Sequence, residues 1–108
     1  MMVVSDPDAG KVVANVPIGP GSDGAAFDPE RGLAFSSNGG DGTMTVVRQV
    51  AGKYEAQANV PTQRGARTIA IDPTTHKLYL SAAEYGTAAA GGRAPALPNS
   101  FMVLVLEP

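Results

Sequence analysis

The chain says nearly the same thing twice, and this repetition constrains its fold more than any other feature. Val16-Pro17 returns as Val60-Pro61, and Asp28-Pro29 returns as Asp72-Pro73, each 44 residues later. Beyond the second dipeptide, Leu33-Ala34-Phe35-Ser36 aligns by residue type with Leu78-Tyr79-Leu80-Ser81, 45 residues on, which implies one inserted residue in the turn between. A period in the forties suits a four-stranded propeller blade or a two-helix repeat. The local pattern decides for strands. The apolar segments are short, rich in Val, Ile, Phe and Tyr, and interrupted by Gly, Pro, Asp and Asn every eight to twelve residues, which is the signature of an all-β chain.

GAAFDP and TIAIDP each end an apolar run in Asp-Pro. Proline presets φ for a tight turn, and the preceding carboxylate accepts a backbone N–H about two residues on. Asp28 and Asp72 are therefore expected to be turn acceptors, with Asp6 in a similar turn. With the strands of a blade lettered a to d from the axis outward, the reading is c at 1–5 and d at 11–18. A complete blade follows, with a at 24–28, b at 33–38, c at 43–49 and d at 54–61. The third unit has a at 67–72, b at 77–83, a long loop at 84–99 and c at 100–106. The expected architecture is an all-β partial propeller of about two and a half blades of four antiparallel strands. Residues 1–18 end one blade, 24–61 make a complete one, and 67–106 make one that lacks its outer strand.

A ring of 4 to 8 such blades needs roughly 180 to 350 residues, more than the 108 present. Open strand edges and bare apolar faces template association. The expected partners are therefore further copies of the chain, completing blades in trans through Lys11–Ile18 or Met1–Ser5 beside Phe101–Leu106, or the missing propeller blades themselves.

The motifs as a set resemble the YVTN-type β-propeller repeat. The stretch from Val3 to Val47 carries that family's Gly-Lys-Val-Val after a turn (Gly10 to Val13), its Val-Pro-x-Gly (Val16 to Gly19) and an equivalent of its Tyr-Val-Thr-Asn strand at Leu33 to Asn38. The likeness spans essentially the whole chain. It departs at Val47-Arg48-Gln49 and Val105-Leu106-Glu107, where the family's Ile-Asp is lost, and in the long AEYGTAAAGGRAPALPN segment. The resemblance implies the fold, a surface-binding or scaffold role, and an extracytoplasmic (periplasmic or secreted) setting for a full-length parent. It brings no shared catalytic residues.

Charge narrows the partners further. Eight Lys plus Arg against ten Asp plus Glu leave a net charge of −2, which offers no basic footprint for nucleic acid. Cysteine is absent, so neither a disulfide framework nor a thiolate nucleophile is available. MMVVSDPDAG has no cationic start and no long apolar run, and no segment approaches 18 apolar residues, so neither a signal peptide nor a membrane span is expected.

In a propeller the d-to-a and b-to-c connections share one face, where ligand sites gather. On it the register places Asp23, Asn38, Asp41, Arg64, Arg67, Glu84, Tyr85 and Arg93. Asp23 and Arg67 occupy equivalent positions with opposite charge, and an exposed ion pair is expected between them. Arg64 with Arg67 has the chemistry to clamp a carboxylate or phosphate, although solvated loop charge is the preferred reading. His76, the one histidine, stands in the DPTTHK turn on the opposite face and is expected to be an exposed turn residue, since it lacks the convergent partners of a metal site or a catalytic triad. Gly39-Gly40-Asp41-Gly42 lacks the Lys-Ser/Thr and the helix of a phosphate loop and is expected to be a hairpin loop. The Ala/Gly/Pro-rich stretch 86–98 is expected to be a mobile insert.

No catalytic residue, metal or cofactor is assigned. The expected function is a non-catalytic module that binds a protein or small ligand through its looped face. The alternative is a fragment of a propeller enzyme, a lactonase-like hydrolase with Asp23, Asn38 and Glu84 as metal ligands or the propeller subunit of a quinone-dependent dehydrogenase.

Overall fold

The computed structural model describes residues 1–86 and 95–107. Among the described residues nine strands follow in order: β1 (Met2–Asp6), β2 (Lys11–Val16), β3 (Ser22–Asp28), β4 (Leu33–Asn38), β5 (Thr43–Val50), β6 (Lys53–Pro61), β7 (Ile69–Ile71), β8 (Leu78–Ala82) and β9 (Met102–Leu106). They form three antiparallel sheets, β1-β2, β3-β4-β5-β6 and β7-β8-β9. The chain is all-β, and residues 24–61 run as four neighbouring antiparallel strands in sequence order. The expected 67–72 strand is shorter than its apolar pattern implies, with only Ile69–Ile71 in strand conformation.

The sheets stack. One face of the middle sheet carries Ala26, Phe35, Val46, Met44 and Val60, and it closes on Leu78, Leu80, Ile69, Ile71, Met102, Leu104 and Leu106 of the C-terminal sheet. Leu80 is fully buried there. Val47, on the other face of the middle sheet, is 1% exposed. Its cover is the N-terminal hairpin, whose β2 lies against β6 and whose Val16 is buried. That hairpin has only two strands, so the same face is bare over β3 and leaves Phe27 52% exposed.

Register corrects one reading of the repeat. Asp28 pairs with Leu33 across a four-residue turn, and Asp72 N–H donates to Lys77 O across another four-residue turn. The turns are the same length, so no residue is inserted and the offset stays at 44. Ala34 therefore corresponds to Leu78, and Phe35 to Tyr79. Side chains alternate between faces along a strand, so a slip of one residue exchanges every inward and outward position. The burial agrees: Leu78 and Leu80 are buried, and Tyr79 between them faces outward. Residue-type similarity suggested 45 because leucine and serine recur on both faces.

The outer hairpins repeat as well. Met2 pairs Val16 as Met44 pairs Val60, and Val4 pairs Ala14 as Val46 pairs Ala58. Each pair of strands then breaks register at the next step, leaving Val13 and Gln57, again 44 apart, as the extra residue of a β-bulge. A bulge bends its strand and increases local twist, so two hairpins with the bulge at one position share one curvature.

With a Cα radius of gyration of 15.2 Å, the chain is more extended than the roughly 13 Å typical of a compact domain of this length. A stack of three sheets with both outer faces open accounts for the difference.

Candidate functional site

Four connections gather at one end of the stack: residues 17–21, 39–42, 62–68 and the described flanks, 83–86 and 95–101, of the segment between β8 and β9. They are held by their own backbones. Gly39 N–H donates to Gly21 O at 3.0 Å, Gly40 N–H to Pro20 O at 3.2 Å, and Gly65 N–H to Gly39 O at 2.9 Å. Gly39–Gly42 is the hairpin loop expected from its composition, joining β4 to β5. The stretch expected to be a mobile insert is paired on its described flanks. Gly86 N–H donates to Pro95 O, Leu97 N–H to Glu84 O, and Tyr85 bridges Ala96.

Between these connections lies an open cleft of about 280 Å³, lined by Asp23, Gly65, Arg67, Thr68, Ser81, Ala82, Ala83, Tyr85 and Phe101. Asp23 reaches it because β3 bulges there. Ser22 pairs Asn38 and Gly24 pairs Ser37, leaving Asp23 as the extra residue, an arrangement that re-aims a side chain off the sheet. Arg67 is placed by Gly39. A Cβ on Gly39 would come within 2.7 Å of Arg67 Cγ, so the arginine stem runs directly across the glycine. Tyr85 lies in the same way over Gly65, whose φ of +86° and lack of a side chain let the ring settle against the backbone.

Three of the eight candidate residues therefore converge: Asp23, Arg67 and Tyr85. Four others do not line the cleft. Asn38 is fully buried and its amide is committed: Nδ2 donates to Thr43 Oγ1 at 3.1 Å and Thr45 Oγ1 at 2.8 Å, and Oδ1 accepts from Ser36 Oγ at 3.0 Å. Thr45 extends this network, donating to Asn59 Oδ1 and accepting from Gly19 N–H. Asp41 is exposed and accepts from Thr43 Oγ1 at 2.7 Å. Arg64 is exposed beside Gly42. Glu84 is exposed, and its main chain anchors the start of the β8–β9 connection through Ser100 Oγ. Arg93 lies outside the described residues. The ion pair expected between Asp23 and Arg67 is not formed: among the described residues, none joins them.

The opposite end holds the feature that sequence reasoning misplaced. His76 is not an exposed turn residue. Its side chain is 14% exposed, with Nδ1 donating to Asp28 Oδ2 at 2.6 Å and Nε2 3.3 Å from Glu30 Oε2. Asp28 is itself 3% exposed, and its other oxygen accepts Arg31 N–H at 3.3 Å. Burial pushes the Asp28 carboxyl up, but the His76 hydrogen bond, the Arg31 N–H and the nearby positive charges outweigh it and hold the group below its ordinary value. Asp72 also sits low, chiefly because Thr74 N–H donates to it at 2.8 Å. The expected Asx acceptors are thus formed at Asp28 and Asp72, and at Asp6 by Asp8 N–H. A cue for His76 was available. It fills the position of Gly32, 44 residues earlier, and both have positive φ, 62° and 65°.

Among the described residues no group of three or more His, Asp or Glu is arranged to hold a metal ion, and no helix is long and apolar enough to cross a membrane. No family model, curated protein or solved structure matches the chain.

Proposed function

We propose that the chain is a non-catalytic binding module, a run of β-propeller blades of the YVTN type that takes a ligand at its looped end. Three features support the blade reading. The sheets hold the 44-residue offset in register and in facing. The bulge recurs at Val13 and Gln57. Neighbouring sheets meet through their first strands, β3 against β7, and through their last, β2 against β6, as blades around an axis would.

The single observation that carries the functional reading is the convergence of Asp23, Arg67 and Tyr85 on one cleft from the β3 bulge and two separate connections. Arg67 offers a planar donor for a carboxylate, Asp23 an acceptor for an ammonium group, and Tyr85 with Phe101 an apolar wall. A zwitterion with a flat apolar body, or an exposed chain end with an aromatic neighbour, matches all three.

The test is an NMR titration with phenylalanine, phenylacetate and phenethylamine. Shifts confined to Asp23, Arg67, Tyr85 and Phe101, strongest for phenylalanine and lost in Arg67→Ala, support the reading. The absence of localised shifts with all three probes overturns it.

A further inference from the structure

We infer that copies of this chain stack front to back, the outer face of the C-terminal sheet of one copy covering the outer face of the N-terminal hairpin of the next. The inference rests on the internal register and is independent of the ligand cleft.

The chain forms such an interface twice within itself. Met2, Val4 and Val16 of the N-terminal hairpin correspond to Met44, Val46 and Val60 of the middle sheet. In both sheets this face turns toward the sheet that follows. In the middle sheet it is covered, and Phe35 is 6% exposed. In the C-terminal sheet the same face is bare. Tyr79, at the position of Phe35, is 37% exposed, and Val103 and Val105 on the paired strand β9 are 52% and 50% exposed. An ion pair, Lys77 with Glu107 at 3.3 Å, stands at the margin. An apolar centre with charge confined to its rim is the make-up of an interface.

The other end of the stack is bare in the complementary sense. Val3 occupies the position of Thr45, which is 1% exposed under the N-terminal hairpin, yet Val3 itself is 55% exposed, with Val12 beside it at 58%. The two bare faces are the missing halves of the interface that the chain already builds, and they point in opposite directions. Joining them covers both. Because the contact is between unlike faces, it is heterologous and propagates to a ring or an open stack.

Sedimentation velocity on the 108-residue chain reads the outcome. The wild type is expected to gain mass with concentration beyond a dimer. Val103→Lys with Val105→Lys on the front, or Val3→Lys with Val12→Lys on the back, is expected to give monomers with unchanged circular dichroism. An equimolar mixture of the two variants is expected to form a one-to-one dimer and nothing larger, since one front and one back remain intact. Serine replacements at the same sites serve if the lysines impair folding. A wild type that stays monomeric at every concentration overturns the inference. So does a front variant that is monomeric beside a back variant that associates normally, the pattern of front-to-front pairing.

Discussion

His76 Nδ1 lies 2.6 Å from Asp28 Oδ2, joining the turns of two different sheets across 48 residues of sequence. The histidine holds a left-handed backbone conformation, φ +62°, where the equivalent turn has Gly32. A side chain in that conformation costs about 1 kcal/mol relative to glycine. In exchange the imidazole reaches a buried carboxylate and the rim carboxylate of Glu30. The middle and C-terminal sheets are thereby tied at the end away from the cleft.

His76→Ala keeps the backbone strain and loses both contacts, while His76→Gly relieves the strain and loses the same contacts. Both are expected to be less stable than wild type in urea denaturation, with glycine about 1 kcal/mol above alanine. An alanine variant equal to glycine would remove the strain argument. In Asp28→Asn, the further loss on adding His76→Gly is expected to shrink, because the partner has already gone.

Acid sensitivity follows from the two lowered carboxyls. Asp28 and Asp72 are both held below the ordinary carboxyl value in the folded chain. A depressed folded pKa gives a stabilising contribution that is complete above the unfolded value and is lost as pH falls through the folded one. Their share of stability is therefore expected to be constant above about pH 5 and to drop below about pH 4. Denaturation midpoints of Asp28→Asn and Asp72→Asn, measured from pH 3 upward, are expected to fall less steeply than wild type.

The corrected register predicts opposite outcomes at adjacent residues. Leu80→Ala empties a fully buried site between two sheets and is expected to cost about 2–5 kcal/mol. Tyr79→Ala removes an outward ring and is expected to cost about 1 kcal/mol or less in the monomer. Reversal of that order would mean that β8 presents its other face to the core.

Asn38→Ala strips the centre from a buried polar network, leaving Ser36 and Thr43 without a partner they now have. The expected loss is about 1–3 kcal/mol. Phenylalanine shifts at Arg67 and Tyr85 should persist in this variant, since Asn38 does not line the cleft.

Gly65→Ala strikes the cleft itself. The new methyl meets the Tyr85 ring and the backbone at φ +86° disfavours any side chain. About 1–2 kcal/mol of strain is expected, together with displaced Tyr85 ring resonances in the NMR spectrum. Unmoved Tyr85 signals would show that the ring does not rest on Gly65.

Local sequence was enough to determine the all-β character, the turns and most strand limits, because Asp-Pro turns and alternating apolar residues act within a few bonds of themselves. Asp6 and Asp72 accept the backbone N–H two residues on that their spacing to proline implies, while Asp28 accepts the one after it, from Arg31. What the tertiary structure decided was facing and partnership. Whether β8 buries Tyr79 or Leu80 depends on turn length, and a one-residue ambiguity in matching leucines and serines exchanges the two faces. Asp28 meets His76, and Asp23 shares a cleft with Arg67 without pairing to it, only because sheets distant in sequence are stacked in one orientation. Such contacts arise from packing between surfaces, and no local propensity encodes them.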